Sequence, residues 1–181
     1  WVVCVKARRL GITSATQALA MAHLLTEPNY QAALMTQLKQ PGRNIMDYAQ
    51  FFFNGVKEKM REIYACGYGC SHDDLSCAFR ERTKESWHFR WGSRLQIFTA
   101  ETKDVSRGIG LQFLHLSEAA YYGASEEDLI SAIIPTISKK QDASNVFVIA
   151  ESTGSGPSGW FYETYRVAEE ADQERREGKK V

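Results

Sequence analysis

The segment that decides the fold is residues 1–14, WVVCVKARRLGITS. It opens with an apolar, β-branched run, Trp1–Val5, which predicts a buried parallel strand. The Ala- and Leu-rich stretch Ala15–Leu25 follows it and has strong helix propensity. A short basic loop with one glycine therefore joins a strand directly to a helix. Such a junction can bind phosphate through backbone N–H groups and the N-terminus of the helix.

The loop between this strand and helix carries the groups that triphosphate binding needs. Against the pattern G-x-x-x-x-G-K-[ST], Gly11 and Thr13 are in place, while Lys6 occupies the first glycine position and Ile12 the usual lysine position. Lys6 can still supply a cation for the β and γ phosphates, Thr13 a hydroxyl for Mg²⁺ and Gly11 a tight turn. The alternative is an ordinary basic turn. The loop residues that we expect to bind nucleotide are Lys6, Ala7, Arg8, Arg9, Leu10, Gly11, Ile12, Thr13 and Ser14.

Strands and helices alternate along the rest of the chain. Apolar residues at spacings of three and four predict an amphipathic helix over Ile45–Tyr64, and alternating aromatics before Gly92 and Ser93 predict a β-hairpin. Strands separated by helices imply parallel connections. The expected fold is therefore α/β, a mostly parallel sheet sandwiched by helices, with a β-hairpin insertion. The other predicted elements are strands at Gln31–Thr36, Leu111–Leu116 and Asn145–Glu151, a helix from Ser125 toward Pro135, a loop over Gly67–Asp74 and a solvated charged tail at Glu169–Lys180.

Composition limits the class of protein. With 181 residues, 44% of them apolar and 12% aromatic, the chain can bury one substantial core, so we expect a single domain over residues 1–181. Lys plus Arg equals Asp plus Glu at 22 each, so any contact with DNA must come from a local basic patch. The apolar runs are strand-sized and the start lacks the layout of a signal peptide. Both observations predict an intracellular protein with no membrane partner.

The strand predicted at Leu111–Leu116 ends in a hydroxyl and a carboxylate. P-loop ATPases place an acidic residue for Mg²⁺ at such a strand tip, followed in the hydrolytic branch by a glutamate that polarises the attacking water. Glu118 fits the second role. Ser117 stands where the aspartate is expected and can contact Mg²⁺ by its hydroxyl or through a water. The alternative is that both residues simply begin the next helix.

A third strand, Asn145–Glu151, also runs into small polar residues. Ser152, Thr153 and Gly154 could sense the γ-phosphate or relay its loss to moving parts, and a simple Gly-Ser turn is the alternative. Open α/β sheets bind ligands at the carboxyl ends of their parallel strands. We therefore expect all three segments to converge on one edge of the sheet.

These three segments in this order resemble the ATPase domain of large terminase subunits from tailed bacteriophages. KARRLGITS looks like that family's variant Walker A motif, HLSEAAYY like its Walker B motif and ESTGSGPSGWFYE like its coupling motif, with matching spacing across nearly the whole chain. The resemblance implies a P-loop NTPase fold of the ASCE or RecA type, binding ATP and Mg²⁺. The roles that it implies are triphosphate binding for Lys6, Gly11, Thr13 and Ser14, Mg²⁺ binding for Thr13, Ser117 and Glu118, catalysis for Glu118, and coupling for Ser152, Thr153 and Gly154.

The same resemblance implies an enzyme, an ATPase that drives double-stranded viral DNA into a procapsid in the host cytoplasm. A portal protein and a small terminase subunit are implied partners, and a homo-oligomeric ring is the implied assembly. Arg107, in the turn SRGIG, is similar in placement to the family's candidate arginine finger, although Arg8 or Arg9 could act instead. The alternative function is a catalytically degenerate nucleotide-binding or assembly module, marked by Ile12 and Ser117, that does not turn nucleotide over.

The cysteines admit one further hypothesis. Cys66, Cys70, His72 and Cys77 supply the four ligands that zinc requires. They lack the paired C-x₂-C spacing that is typical of structural zinc sites, so free thiols are the expected state.

The two ends of the sequence suggest a fragment. The chain opens inside the first predicted strand, and no carboxylate cluster resembling the family's nuclease follows the coupling motif. We therefore expect residues 1–181 to be an ATPase domain whose adenine-clamping segment and nuclease domain lie outside the sequence.

Overall fold

The computed structural model describes residues 1–68, 78–100, 110–122, 134–137 and 146–179, with the side chains of all of these except residues 57–68 and 134. Two 3-10 turns, Ala119–Tyr121 and Ile134–Thr136, accompany the longer elements. Those elements, in chain order, are β1 (Val2–Val5), α1 (Ile12–Thr26), β2 (Gln31–Thr36), α2 (Lys39–Tyr68), β3 (Phe79–Arg82), β4 (Ser86–Phe89), β5 (Arg94–Thr99), β6 (Phe113–Ser117), β7 (Phe147–Ser152) and α3 (Trp160–Arg176).

The strands form one sheet in the order β1-β7-β6-β2-β5-β4-β3. The first five strands in this order are parallel, whereas β4 and β3 run antiparallel to their neighbours and extend the sheet as a hairpin. The predicted mostly parallel sheet is thus confirmed, and the predicted hairpin about Gly92 and Ser93 is the antiparallel pair β4 and β5. In this order β7 lies between β1 and β6. The loop after β1 and Glu118 after β6 therefore follow two strands that have only β7 between them.

Helices cover both faces of the sheet, and side chains alternate between them as the strand period requires. Leu114 and Leu116 of β6 belong to a core cluster with Phe161 of α3. Phe113 of β6 belongs to the opposite cluster, with Leu24 of α1 and residues of α2. Residues at odd positions near the ends of β6 and β7 therefore face α1. This alternation places three polar side chains, His115, Ser117 and Glu151, under the N-terminal half of α1.

Several sequence-based boundaries need correction. The prediction that β1 is buried is wrong, because β1 lies at the edge of the sheet with Val2 54% and Val5 46% exposed. Helix α2 begins at Lys39 rather than Ile45, since Pro41 is tolerated in the first turn of a helix, and it continues through Gly67 to Tyr68, where a loop had been expected.

Other elements were missed or lie outside the described residues. Strand β3 was not predicted, because FRER carries one apolar residue among charges. Residues 69–77 and 123–133, which include most of the expected loop and most of the expected helix toward Pro135, are outside the described part of the chain. The charged tail begins as the end of α3, which runs to Arg176. Within the described residues, no helix combines the length and apolar character needed to cross a membrane.

Two glycines in α2 provide a matched test of how tightly this helix packs on the sheet. A Cβ at Gly42 would lie 2.7 Å from Ile97 Cγ2 and 3.0 Å from Thr36 Oγ1, whereas a Cβ at Gly55 meets nothing within 4 Å. We expect Gly42→Ala to lower the free energy of unfolding by about 1–3 kcal/mol through overpacking. Gly55→Ala should instead raise it by about 0.5–1 kcal/mol, because alanine loses less backbone entropy in a helix. Urea unfolding of both variants tests this, and equal midpoints would contradict it.

Candidate active site

The three predicted segments meet at one edge of the sheet. Lys6 follows β1, Ser117 ends β6 and Ser152 ends β7. The backbone N–H of Lys6 donates to the Ser152 carbonyl at 2.9 Å, and Lys6 Nζ lies 3.3 Å from Glu118 Oε1. The expected convergence of the strand tips is therefore present, and a lysine side chain stands at its centre.

The first loop ends in a helix N-terminus without a side-chain cap. Gly11 adopts the left-handed conformation at φ 78°, and helix α1 begins at Ile12 with Ala15 N–H donating to the Gly11 carbonyl at 2.9 Å. Residues 7–11 are exposed, while Thr13 and Ser14 are partly buried. The first N–H groups of a helix have no partner within the helix, so this end of α1 can accept an anion.

Lys6 is held between two carboxylates and a hydroxyl. Its Nζ lies 2.7 Å from Glu151 Oε2, 3.3 Å from Glu118 Oε1 and 3.3 Å from Thr13 Oγ1, and the side chain is only 9% exposed. Burial by itself would lower the pKa of Lys6, but the hydrogen bond and charge of Glu151, aided by Glu118, raise it above its usual value. The amine is thus a fixed positive charge at the meeting point of the strands.

Glu151, the next-to-last residue of β7, is fully buried at the centre of this polar group. Its Oε1 accepts hydrogen bonds from Thr13 Oγ1 at 2.9 Å and Ser117 Oγ at 2.8 Å, and lies 3.2 Å from His115 Nε2. Burial alone would raise the pKa of the Glu151 carboxyl, but hydrogen bonds from His115, Lys6 and Ser117 lower it to about 2. Glu151 is therefore a carboxylate at neutral pH.

Glu151 was not among the predicted site residues, although the sequence contains a signal for it. It closes the apolar run FVIA, and an acidic residue inside a buried strand must be paired or hydrogen-bonded. His115 carries the same signal within LQFLHL. Its Nδ1 lies 2.9 Å from the Gln17 amide nitrogen, which directs the ring's Nε2–H toward Glu151. Gln17 and Thr13, one turn apart on α1, both reach this group.

Glu118 belongs to the site but has a different environment. It has left-handed backbone angles, φ 55° and ψ 44°, and its side chain is 42% exposed. Its Oε2 accepts hydrogen bonds from Thr153 N–H at 3.2 Å, Thr153 Oγ1 at 3.3 Å and Ser152 Oγ at 3.3 Å. Tyr121 extends the connection, since its hydroxyl lies 3.1 Å from Thr153 Oγ1 and donates to the Gly154 carbonyl at 3.3 Å. The segment after β7 is thus tied directly to this carboxylate.

The oxygen donors at this edge suit magnesium. Mg²⁺ prefers hard oxygen ligands. Such oxygens are present here in the hydroxyls of Thr13 and Ser117 and in the carboxylates of Glu118 and Glu151. No group of three or more His, Cys, Asp or Glu forms a metal cage within the described ranges. Such a cage is unnecessary, because Mg²⁺ in nucleotide enzymes is usually bound through one or two carboxylates plus substrate phosphates.

Some predicted site residues cannot be placed. Arg107 lies outside the described residues, as do Cys70, His72 and Cys77 of the hypothetical zinc cluster, and the side chain of Cys66 is not described. Their roles stay predictions.

Comparisons with known proteins support the fold. No family model matches the chain, and no curated protein matches it. Among solved structures, two of the ATPase domain of the Thermus phage P74-26 large terminase match the chain. The arginine-to-alanine variant has a TM-score of 0.62 and 21% identity. The domain without that substitution has a TM-score of 0.58 and 22% identity. Each match covers 90% of this chain, which spans 62% of the other. The chain therefore has the same fold as these large-terminase ATPase domains.

Proposed function

We propose that this chain is the ATP-hydrolysing motor domain of a tailed-phage large terminase subunit, which uses ATP to move double-stranded DNA into a procapsid. The observation that carries the proposal is the position of Lys6. Its amine lies within 3.3 Å of carboxylates from two other strand tips and beside the uncapped N-terminus of α1. A helix N-terminus, a cation and two carboxylates at one sheet edge are the parts that phosphoryl transfer requires.

The first loop would bind the triphosphate. Lys6 supplies the positive charge for the β and γ phosphates, and Gly11 allows the backbone N–H groups at the start of α1 to point at the same anion. Arg8 and Arg9, exposed on this loop, add positive charge at its surface. Mg²⁺, when bound with the nucleotide near Thr13 and Ser117, would neutralise charge on the phosphates.

Glu118 would be the catalytic carboxylate. In hydrolysis a water oxygen bonds to the γ-phosphorus, the bond from that phosphorus to the bridging oxygen breaks, and ADP and phosphate are released. A carboxylate orients this water and accepts its proton. The partly exposed position of Glu118 suits that role. Its hydrogen bonds to Ser152 and Thr153 would pass a change at the γ-phosphate to the segment leading into α3.

The assembled machine involves parts that lie beyond this site. Arg107 is our candidate for the arginine finger, acting on the nucleotide of a neighbouring subunit in a homo-oligomeric ring. The DNA contact would be to the phosphate backbone, without reading of sequence. Portal protein and small terminase subunit are the proposed partners, and the host cytoplasm, at the procapsid, is the proposed location. The fold and the motif resemblance support these proposals.

A lysine variant tests the proposed nucleotide site. Lys6→Met keeps the length of the side chain but removes its charge, and we expect it to weaken ATP-analogue binding by roughly 10- to 100-fold, the effect of losing one charge-assisted hydrogen bond. The measurement is isothermal titration of the purified chain with Mg²⁺ and a non-hydrolysable ATP analogue. Lys84→Met, at an exposed position between β3 and β4, is the matched control and should bind like the wild type. Equal affinities for the Lys6→Met variant and the wild type would refute the phosphate-binding role of this loop.

A further inference from the structure

The strand tip that should carry a metal-binding acid carries Ser117 instead. In P-loop NTPases the P-loop hydroxyl and an acidic residue on a neighbouring strand hold Mg²⁺ together. Thr13 supplies the hydroxyl here, but Ser117 has no charge with which to complement it. The site would therefore lack a carboxylate at the position where the metal needs one.

The structure provides that carboxylate from the adjacent strand. Ser117 of β6 is in register with Glu151 of β7, and its hydroxyl donates to Glu151 Oε1 at 2.8 Å. Thr13 Oγ1 donates to the same oxygen at 2.9 Å. A longer side chain on β7 thus brings its carboxylate to both hydroxyls that were expected to face the metal.

Glu118 is less suited to replace the missing acid. Its Oε2 is engaged by Ser152 and Thr153, and its side chain is partly exposed to solvent. No hydrogen bond between Glu118 and Thr13 is present, whereas Glu151 bonds Thr13 directly. The two carboxylates therefore have different surroundings. Glu118 is partly exposed to solvent, and Glu151 contacts the P-loop hydroxyl of Thr13.

Charge balance links Glu151 to the nucleotide. A fully buried carboxylate is costly unless a cation accompanies it, and Lys6 Nζ, 2.7 Å from Oε2, is that cation here. If Lys6 turns to the phosphates, Glu151 needs another positive charge in its place. The divalent cation that accompanies ATP is available at that moment and prefers oxygen ligands.

We propose that Glu151 replaces the strand-tip aspartate as the Mg²⁺-binding carboxylate of this site, exchanging Lys6 for the metal when nucleotide binds. The proposal rests on the proposed nucleotide-binding function and assigns the metal to the first residue of the coupling-motif segment, to which the motif comparison gives no role. It further states that Ser117 and Glu151 together do what an aspartate at position 117 would do alone.

The test is the effect of Mg²⁺ on nucleotide affinity, which does not depend on turnover. Fluorescent ADP is titrated into the chain with MgCl₂ and again with EDTA. In the wild type Mg²⁺ should tighten binding by roughly 10- to 100-fold, the usual size of such coupling. Glu151→Gln should lose about tenfold or more of that enhancement. Glu163→Gln, the same chemical change at an exposed position outside the site, is the matched control and should retain it.

A compensating variant makes the test specific. Ser117→Asp combined with Glu151→Gln returns one carboxylate to the strand tip, and it should restore the Mg²⁺ enhancement to within about threefold of the wild type, as expected if one metal contact is moved rather than lost. An enhancement that survives Glu151→Gln, or that disappears equally in Glu163→Gln, overturns the proposal while leaving the nucleotide site intact. A wild type that binds fluorescent ADP in neither condition overturns the proposed function as well.

A structure of the wild-type chain with Mn²⁺ and ADP removes any dependence on folding of the variants. We expect Glu151 to be separated from Lys6 and to contact the metal directly or through one water. A persistent Lys6–Glu151 ion pair, with the metal held by other residues, overturns the proposal.

Discussion

Glu118→Gln is expected to lower kcat for ATP hydrolysis by about 100- to 10,000-fold, the usual contribution of a general base. The amide keeps the size of the side chain and one acceptor oxygen for Thr153 but cannot take a proton from water. Nucleotide affinity should change little, because the carboxylate acts on the attacking water rather than on the bound triphosphate. Steady-state phosphate release with Mg²⁺ and ATP, with and without double-stranded DNA, measures the effect.

The control for this variant is Glu163→Gln, in the exposed first turn of α3, which should keep the wild-type kcat. An arginine finger supplied by a neighbouring subunit would make the isolated chain slow, so the ratio of the two rates is more informative than either rate alone. If wild type and Glu118→Gln release phosphate equally slowly in an assembled ring, the motor assignment of this site is wrong. The non-catalytic nucleotide-binding module then becomes the better description.

Glu151→Gln is expected to lower the free energy of unfolding by about 3 kcal/mol at neutral pH, because breaking one side of a buried ion pair leaves its partner unsatisfied. Lys6 loses its contact at 2.7 Å, and the Ser117 and Thr13 hydroxyls lose a charged acceptor. Urea unfolding followed by circular dichroism measures the loss. An unchanged midpoint would show that this buried pair does not stabilise the fold.

The pH dependence of stability gives the same quantity independently. The pKa of Glu151 falls from 4.5 to about 2 on folding, so its contribution is fully present above about pH 4.5 and is lost as the pH falls toward 2. A shift of that size corresponds to about 3 kcal/mol. The wild type should therefore lose more stability than Glu151→Gln over this interval, and parallel curves would contradict the assignment.

A double-mutant cycle separates the ion pair from its surroundings. Lys6→Met combined with Glu151→Gln removes both charges at once, and the double variant should be more stable than the sum of the single losses predicts. Additive losses would mean that each side chain is stabilised by its other neighbours rather than by the pair.

Local patterns predicted most of the fold. The long helix and the hairpin follow from apolar spacing, and β2, β6 and β7 are close to the predicted strands. The burial of β1 was predicted wrongly because an apolar, β-branched run has the same pattern at the edge of a sheet as at its centre. Strand β3 was missed for the opposite reason, since Phe79 is its one core-facing residue and its remaining stability comes from pairing with β4. The order of the strands in the sheet depends on contacts between distant parts of the chain, which local sequence patterns do not contain.

The candidate site also has residues that local sequence patterns predict and residues that depend on long-range contacts. Lys6, Ser117 and Glu118 were recognisable because each follows or ends a strand whose direction the sequence predicts. The sequence marks Glu151 as a buried acid that needs a partner, but its partners and those of Gln17 are fixed by which strands are neighbours and by how α1 lies across them. A motif identifies residues at the expected position in the chain. It does not reveal that a carboxylate from the adjacent strand contacts the hydroxyls of Ser117 and Thr13.

The edge position of β1 has a practical consequence for handling the protein. In the described part of the chain β1 pairs with β7 alone, and its other side presents backbone N–H and C=O groups beside the exposed side chains of Val2 and Val5. A short, apolar, uncharged edge of this kind is a template for a strand of another molecule. Concentrated samples of the isolated chain should therefore self-associate through β1, and a lysine at position 2 is the substitution that should keep them monodisperse.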